Sequence, residues 1–146
     1  MAGNLQICTV DPGLKEKLKK FRFRKDKTNG AIVMKINSTT MTVVEDEVDE
    51  DVLDNVSLDD LQAELPEHQP RFVAYSYCHK HDDGRISYPL CFIFISPQGC
   101  KPELQMMYAG TKTSLVKEGQ FTKVFELRAV DEMTEEWLLS KLGFFR

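Results

Sequence analysis

Phe72–His79, FVAYSYCH, and Ile86–Ser96, ISYPLCFIFIS, stand either side of His81-Asp82-Asp83-Gly84-Arg85, and this stretch decides the fold. Both flanks are rich in β-branched and aromatic residues, which suit a pleated surface, and the Asp-Gly pair between them suits a tight hairpin turn. The run CFIFI, residues 91–95, is a concentrated apolar block. A strand of that kind reads as central and buried instead of half-exposed. Pro89 has no N–H to give a ladder, so it belongs at a bulge, near the strand start, or facing a gap.

Outward from that pair, Ala31–Ile36 and Met41–Val48 form a second predicted hairpin across Asn37, Ser38 and Thr39. Before it, Asp11-Pro12 is a helix opening, a carboxylate cap followed by a proline whose missing N–H costs nothing in the first turn. Leu14, Leu18 and Phe21 then recur at helical spacing, which predicts an amphipathic helix to about Arg24 with Lys15, Lys19 and Arg22 on its exposed side. Ser57 followed by Asp60 predicts a short helix bounded by Pro66 and Pro70. After Pro97, Gly99 and Pro102, residues 103–119, ELQMMYAGTKTSLVKEG, read as a long helix. Leu104, Tyr108, Thr111 and Leu115, flanked by Met107, make its apolar stripe and displace Glu103, Met106, Gly110, Thr113 and Lys117 toward another face. A strand over Lys123–Arg128 and a helix near Thr134–Leu142 complete the order αββαββαβα. Adjacent antiparallel pairs with separated helices predict an α+β domain with a mixed sheet.

Composition fits one core: 146 residues, 42% hydrophobic and 29% charged. No stretch approaches the roughly 20 apolar residues that cross a bilayer, and MAGNLQICTVDPGLKEK lacks an apolar signal core, so an intracellular protein without stable membrane insertion is expected. The four cysteines, Cys8, Cys78, Cys91 and Cys100, are widely spaced and fit a reducing compartment. The net charge of -4 hides a division: residues 1–35 carry nine Lys or Arg against three acids, whereas residues 45–67 carry eleven acids and no Lys or Arg. Either run reads as a solvated face, or the basic end meets an acidic protein surface.

Candidate chemistry is thin. Cys78, His79 and His81, with Cys91 across the hairpin, do not supply a zinc pattern, because four directed ligands are needed and strand alternation sends Cys78 and His79 to opposite faces. The same residues with Asp82 or Asp83 make only a nominal nucleophilic set. Gly110-Thr111-Lys112 lies within the long helix and is no phosphate loop. Phe21-Arg22-Phe23-Arg24 resembles a nucleic-acid strip but equally anchors its aromatics in the domain while exposing the arginines. No enzyme, cofactor, metal or nucleic-acid site is expected.

Longer blocks point further: KLKKFRFRK at Lys17–Lys25, LPEHQPRFVAYSY at Leu65–Tyr77, HDDGRISYPLCFIF at His81–Phe94, GCKPELQMMYAG at Gly99–Gly110 and LGFFR at Leu142–Arg146. Over essentially its whole length the chain resembles the glia maturation factor branch of the actin-depolymerising factor/cofilin homology family. That resemblance implies one homology domain over residues 1–146, a central mixed sheet flanked by helices, and no catalysis. It implies a regulator that binds the actin-related-protein 2/3 (Arp2/3) complex, inhibits branched nucleation and promotes debranching at branch-junction actin filaments, with weak or no binding to actin monomers. The cytoplasm, the actin cytoskeleton and lamellipodia are the places it implies.

Carried over residue by residue, the resemblance implies a principal contact made by Gly3, Asn4 and Leu5 together with Glu103, Met106, Gly110, Thr113 and Lys117. A second contact is expected from the turn residues Asp82, Asp83 and Arg85, or from Lys19, Lys20 and Arg22. The chain departs from the cofilin pattern at Glu103 and Gln105, where basic residues are characteristic, and this weakens complementarity for acidic actin. Met1-Ala2-Gly3 also lacks the early serine that many relatives phosphorylate. An actin-binding, filament-severing module of the broader family is the alternative, and a membrane-associated adaptor through the basic helix is a third class.

Overall fold

Asp11 caps the first helix as its sequence requires: its carboxylate accepts the Leu14 N–H at 3.2 Å, and Pro12 takes the first helical position. The computed structural model describes residues 8–24, 27–121 and 123–143. In chain order the strands are β1 (Thr9–Val10), β2 (Gly30–Asn37), β3 (Thr42–Glu45), β4 (Arg71–Ser76), β5 (His79–Lys80), β6 (Ile86–Ser87), β7 (Leu90–Ile95) and β8 (Lys123–Leu127). The helices are α1 (Pro12–Arg22), α2 (Glu50–Leu53), α3 (Leu58–Leu61), α4 (Pro102–Gly119) and α5 (Glu135–Leu142). The main sheet runs β1-β3-β2-β4-β7-β8. Its outer pairs, β1 with β3 and β7 with β8, are parallel, and the three inner ladders are antiparallel.

Strand alternation sorts the core into two layers. Phe72, Ala74, Phe92 and Phe94 face α1 and α4, where Leu14, Leu18, Tyr108 and Leu115 cover them. Val73, Tyr75, Ile93 and Ile95 face the other way, onto Leu58, Leu61, Met133 and Leu138. Both faces of β4 and β7 are therefore covered, which is why CFIFI shows no polar alternation. Asp46 pins the connection after β3, its carboxylate 2.8 Å from Arg71 Nε and 3.5 Å from Lys35 Nζ.

Several elements differ from expectation. The predicted long hairpin is two ladders: β4 pairs with β7 down to Ser76 opposite Leu90, and β5 with β6 forms a separate small sheet. Pro89 lies at the break, its carbonyl still accepting the Tyr77 N–H at 3.1 Å while its nitrogen can donate nothing. The first helix ends at Arg22, not Arg24, as Phe23 and Arg24 close a tight last turn onto Lys20 and Phe21 carbonyls. The strand expected over Met41–Val48 stops at Glu45, and the acidic run holds a helical turn capped by Asp49, whose carboxylate accepts the Asp51 N–H at 3.0 Å. All four cysteines are free. No helix among the described residues is long and apolar enough to cross a membrane.

Candidate protein-binding surface

The long helix α4 carries the predicted principal contact. Pro102 opens it, and Glu103 sits in its first turn, where a carboxylate is favoured by the helix dipole. Tyr108, Thr111, Leu115 and Gly119 are buried and fix which way the helix faces. The Tyr108 ring lies 5.1 Å from Phe72, and its hydroxyl oxygen accepts the Ile36 N–H at 2.9 Å. With that side locked, Glu103, Met106, Thr113 and Lys117 are exposed, Met106 to 62%, and Gly110 is half-buried between the two sides. Gln105, which departs from the basic pattern, turns its amide to the Pro97 carbonyl at 3.4 Å.

Gly3, Asn4 and Leu5 lie outside the described residues. The chain just after them is attached to the same helix: Cys8 N–H donates to Thr111 Oγ1 at 3.1 Å, one residue beyond Gly110.

The turn between β5 and β6 is closed by its own side chains. Asp83 accepts from Arg85 Nε at 2.7 Å and from the Arg85 backbone N–H at 3.0 Å. These two bonds, the backbone one foremost, hold the Asp83 carboxyl below its usual range. Gly84, at φ 92°, supplies the left-handed step. Asp82 is exposed beside this clasp. At the hairpin's base the Tyr77 hydroxyl donates to Glu135 at 2.7 Å, and His79 and His81 meet edge to face with centroids 4.5 Å apart.

On α1, two of the cations are neutralised within the fold. Lys15 pairs with Glu118 at 3.7 Å, and Lys17 pairs with Glu45 and with Glu50, the latter at 3.2 Å. Burial alone would lower the Lys17 pKa, but the two carboxylates outweigh it and raise it. Lys19 and Lys20 remain exposed, and Arg22 is half-buried with its guanidinium 4.6 Å from the Phe23 ring centroid. A groove of about 430 Å³ joins Lys19 and Arg22 to Glu118 and Gln120 at the end of α4. Phe21 packs against the core, whereas Phe23 is 63% exposed. The expectation that both rings anchor in the domain is corrected here. Phe23 lies five residues past Leu18, about 140° round the helix from the apolar stripe, and the helical wheel carried that signal.

The hairpin cysteine and histidines do not assemble a reactive site among the described residues. Burial pushes the Cys91 thiol up to about 12, and Cys78 Sγ lies 3.6 Å from the Lys27 carbonyl. No group of three His, Cys, Asp or Glu among the described residues is placed to hold a metal. A cleft of about 760 Å³ near Leu65, Pro97 and Arg128 includes none of the predicted site residues. What the surface offers is an exposed thioether, a basic helix side and a polar hairpin, which are means of recognition.

The profile of the family described as "Cofilin/tropomyosin-type actin-binding protein" matches residues 7–143. Glia maturation factor beta of Homo sapiens is 58% identical over 145 residues, covering 99% of each chain. Glia maturation factor of Drosophila melanogaster is 52% identical over 137 residues, covering 94% of this chain and 96% of its own. The solution structure of glia maturation factor from Caenorhabditis elegans superposes with a TM-score of 0.79 at 42% identity, over 94% of this chain and 96% of that one.

Proposed function

The chain belongs to the cofilin and actin-depolymerising factor family and is closely homologous to glia maturation factor beta, and from that premise we propose that it is a non-catalytic regulator that binds the Arp2/3 complex. In this reading it restrains branched nucleation and promotes loss of daughter filaments in the cytoplasm, at the actin cytoskeleton. The observation that carries the reading is the outer side of α4, where Met106 stands 62% exposed on a helix whose opposite side is locked by Tyr108 and Thr111. The rigid helix presents the thioether without any backbone ordering on binding, and the flexible methionine adapts its shape to an apolar pocket at the cost of its own rotamer freedom. Glu103, Gly110, Thr113 and Lys117 frame it, Cys8 is tied to Thr111 of the same helix, and Gly3, Asn4 and Leu5 complete the proposed contact. The turn residues Asp82, Asp83 and Arg85 and the basic residues Lys19, Lys20 and Arg22 are candidates for a second contact.

The start of α4 supports the reading of weak or absent monomer binding. Glu103 presents a negative charge there, and the Gln105 amide is directed inward to Pro97. Neither supplies the positive contact that an acidic actin surface favours. The test uses branched filaments assembled beforehand from actin and Arp2/3 complex. Added protein is expected to shorten branch lifetimes without a matching rise in breaks along unbranched filaments. Unchanged branch lifetimes at saturating protein would reject the reading, and breakage of unbranched filaments would favour a severing module.

A further inference from the structure

The opening helix leaves one large side chain outside the fold. Phe23, the residue that closes α1, is 63% exposed, the most of any large apolar residue described. Its ring carries the Arg22 guanidinium 4.6 Å from the centroid. One turn back, Lys19 and Lys20 are exposed and make no ion pair among the described residues, whereas Lys15 and Lys17 of the same helix do. Leu14 and Leu18, the helix's apolar stripe, are buried at 3% and 2%. Toward solvent, α1 therefore ends in a single aromatic ring set among uncompensated cations.

We propose that Phe23, with Arg22, Lys19 and Lys20, is a second anchor that docks an acidic protein surface containing an apolar pocket. The proposal rests on the reading that the chain acts at branched actin, and assigns this anchor to an acidic face of the branch junction other than the one that receives α4. Phenylalanine and arginine are both enriched at protein interfaces over the rest of the surface, and the surrounding cations select an acidic partner. A single-stranded nucleic acid fits less well, because successive bases stack on several aromatic platforms and Phe21 is turned inward. A lipid surface fits less well too, since an interfacial helix must offer a free apolar side and Leu14 and Leu18 are committed to the core. Position argues for two separate contacts. From Met106 along α4 to Glu118, which lines the groove shared with Lys19 and Arg22, the helix rises roughly 18 Å, which sets the groove end of α1 apart from the Met106 anchor along that axis.

The test compares Phe23→Ala, Phe23→Trp and the double change Lys19→Glu with Lys20→Glu against wild type and Met106→Ala. Phe23 touches no core cluster, so its variants should unfold at the wild-type temperature. Phe23→Ala and the charge reversal are expected to slow branch loss at saturating protein by about tenfold or more, as removal of an interface anchor does. Phe23→Trp should retain wild-type rates, and the Phe23 and lysine variants, unlike Met106→Ala, should bind isolated Arp2/3 complex as wild type does. Branch removal by Phe23→Ala at the wild-type rate, with Met106→Ala impaired, would overturn the anchor and leave the functional reading standing. A wild-type protein without effect on branches would overturn that reading and with it the partner named here. Sedimentation with vesicles of phosphatidylcholine and phosphatidylserine, or binding to an oligothymidine strand, that is lost in Phe23→Ala would assign the patch to lipid or nucleic acid and overturn the proposal.

Discussion

Cys8 and Thr111, 103 positions apart in sequence, are joined by a buried hydrogen bond in which the Cys8 backbone N–H donates to the Thr111 hydroxyl at 3.1 Å. Thr111 is fully buried and Cys8 is 1% exposed, so no solvent can replace the bond. This ties the entry to β1 onto α4 beside Gly110. Thr111→Val keeps the shape and removes the acceptor, leaving a buried N–H unsatisfied. Stability should fall by about 1–2 kcal/mol, read by denaturant unfolding. If the tie also positions Gly3, Asn4 and Leu5, the variant should weaken binding to the Arp2/3 complex in the full chain, and add nothing once residues 1–6 are deleted. Additive losses would rule out a positioning role.

Met106 and Gly110 test the outer side of α4 directly. Met106→Ala removes an exposed side chain, so unfolding should move by no more than about 0.5 kcal/mol. Affinity for isolated Arp2/3 complex is expected to fall by about tenfold, the loss typical of an interface anchor. Gly110→Gln adds bulk beside that anchor while improving helix propensity by roughly 0.5–1 kcal/mol, so lost affinity with retained stability would mark close approach of a partner. Two folded variants with wild-type affinity, measured by fluorescence titration, would exclude this side as the principal contact.

Asp46 predicts an acid limb of stability. Burial pushes its carboxyl upward, but the Arg71 hydrogen bond, the Glu47 backbone N–H and the Arg71 and Lys35 charges outweigh that and hold it below 3.8. A group depressed in the folded state contributes stability that is complete above its unfolded pKa and is lost as pH falls through the folded one. The loss should therefore begin near pH 4 and deepen below it. Asp46→Asn removes the negative charge facing the mostly buried Arg71, which keeps its bonds to Gln69 and the Pro70 carbonyl, and should cost about 2 kcal/mol at neutral pH, while flattening the dependence below pH 4. A parallel acid limb in wild type and variant would contradict this.

The fold was largely legible because its signals are local. Asp11-Pro12, Ser57 and Thr134 cap helices where they stand, and CFIFI marks a strand covered on both faces. What could not be read depends on distant partners. Thr9–Val10 becomes a strand only because Met41 and Val43 offer carbonyls to Thr9 and Asp11. Pro89 announced a local defect but not that β5 and β6 would leave the main sheet. At the candidate surface the helical wheel placed Met106 outside correctly, since Tyr108 and Leu115 fix the rotation. The Cys8–Thr111 tie and the Asp83–Arg85 clasp are side-chain geometry that no spacing encodes.

The clasp gives the last prediction. Gly84 sits at φ 92° with nothing within 4 Å of a Cβ built there, so alanine meets backbone strain without a clash. Gly84→Ala should cost about 1 kcal/mol. The cost is local, because β5 and β6 share only two pairs and stand apart from the main sheet. Hydrogen exchange at the Gly84 and His81 amides, which bond to the His81 and Arg85 carbonyls at 3.0 and 2.8 Å, should accelerate while protection in β4 and β7 stays unchanged. Arg85→Ala should loosen the same turn by releasing Asp83, and with little global effect because both side chains are more than half exposed. If this turn is a branch contact, both variants will slow branch loss at saturating protein without changing affinity for isolated Arp2/3 complex. If exchange rises in both while branch loss holds at the wild-type rate, Asp82, Asp83 and Arg85 serve the hairpin alone, and the second contact must be sought on α1.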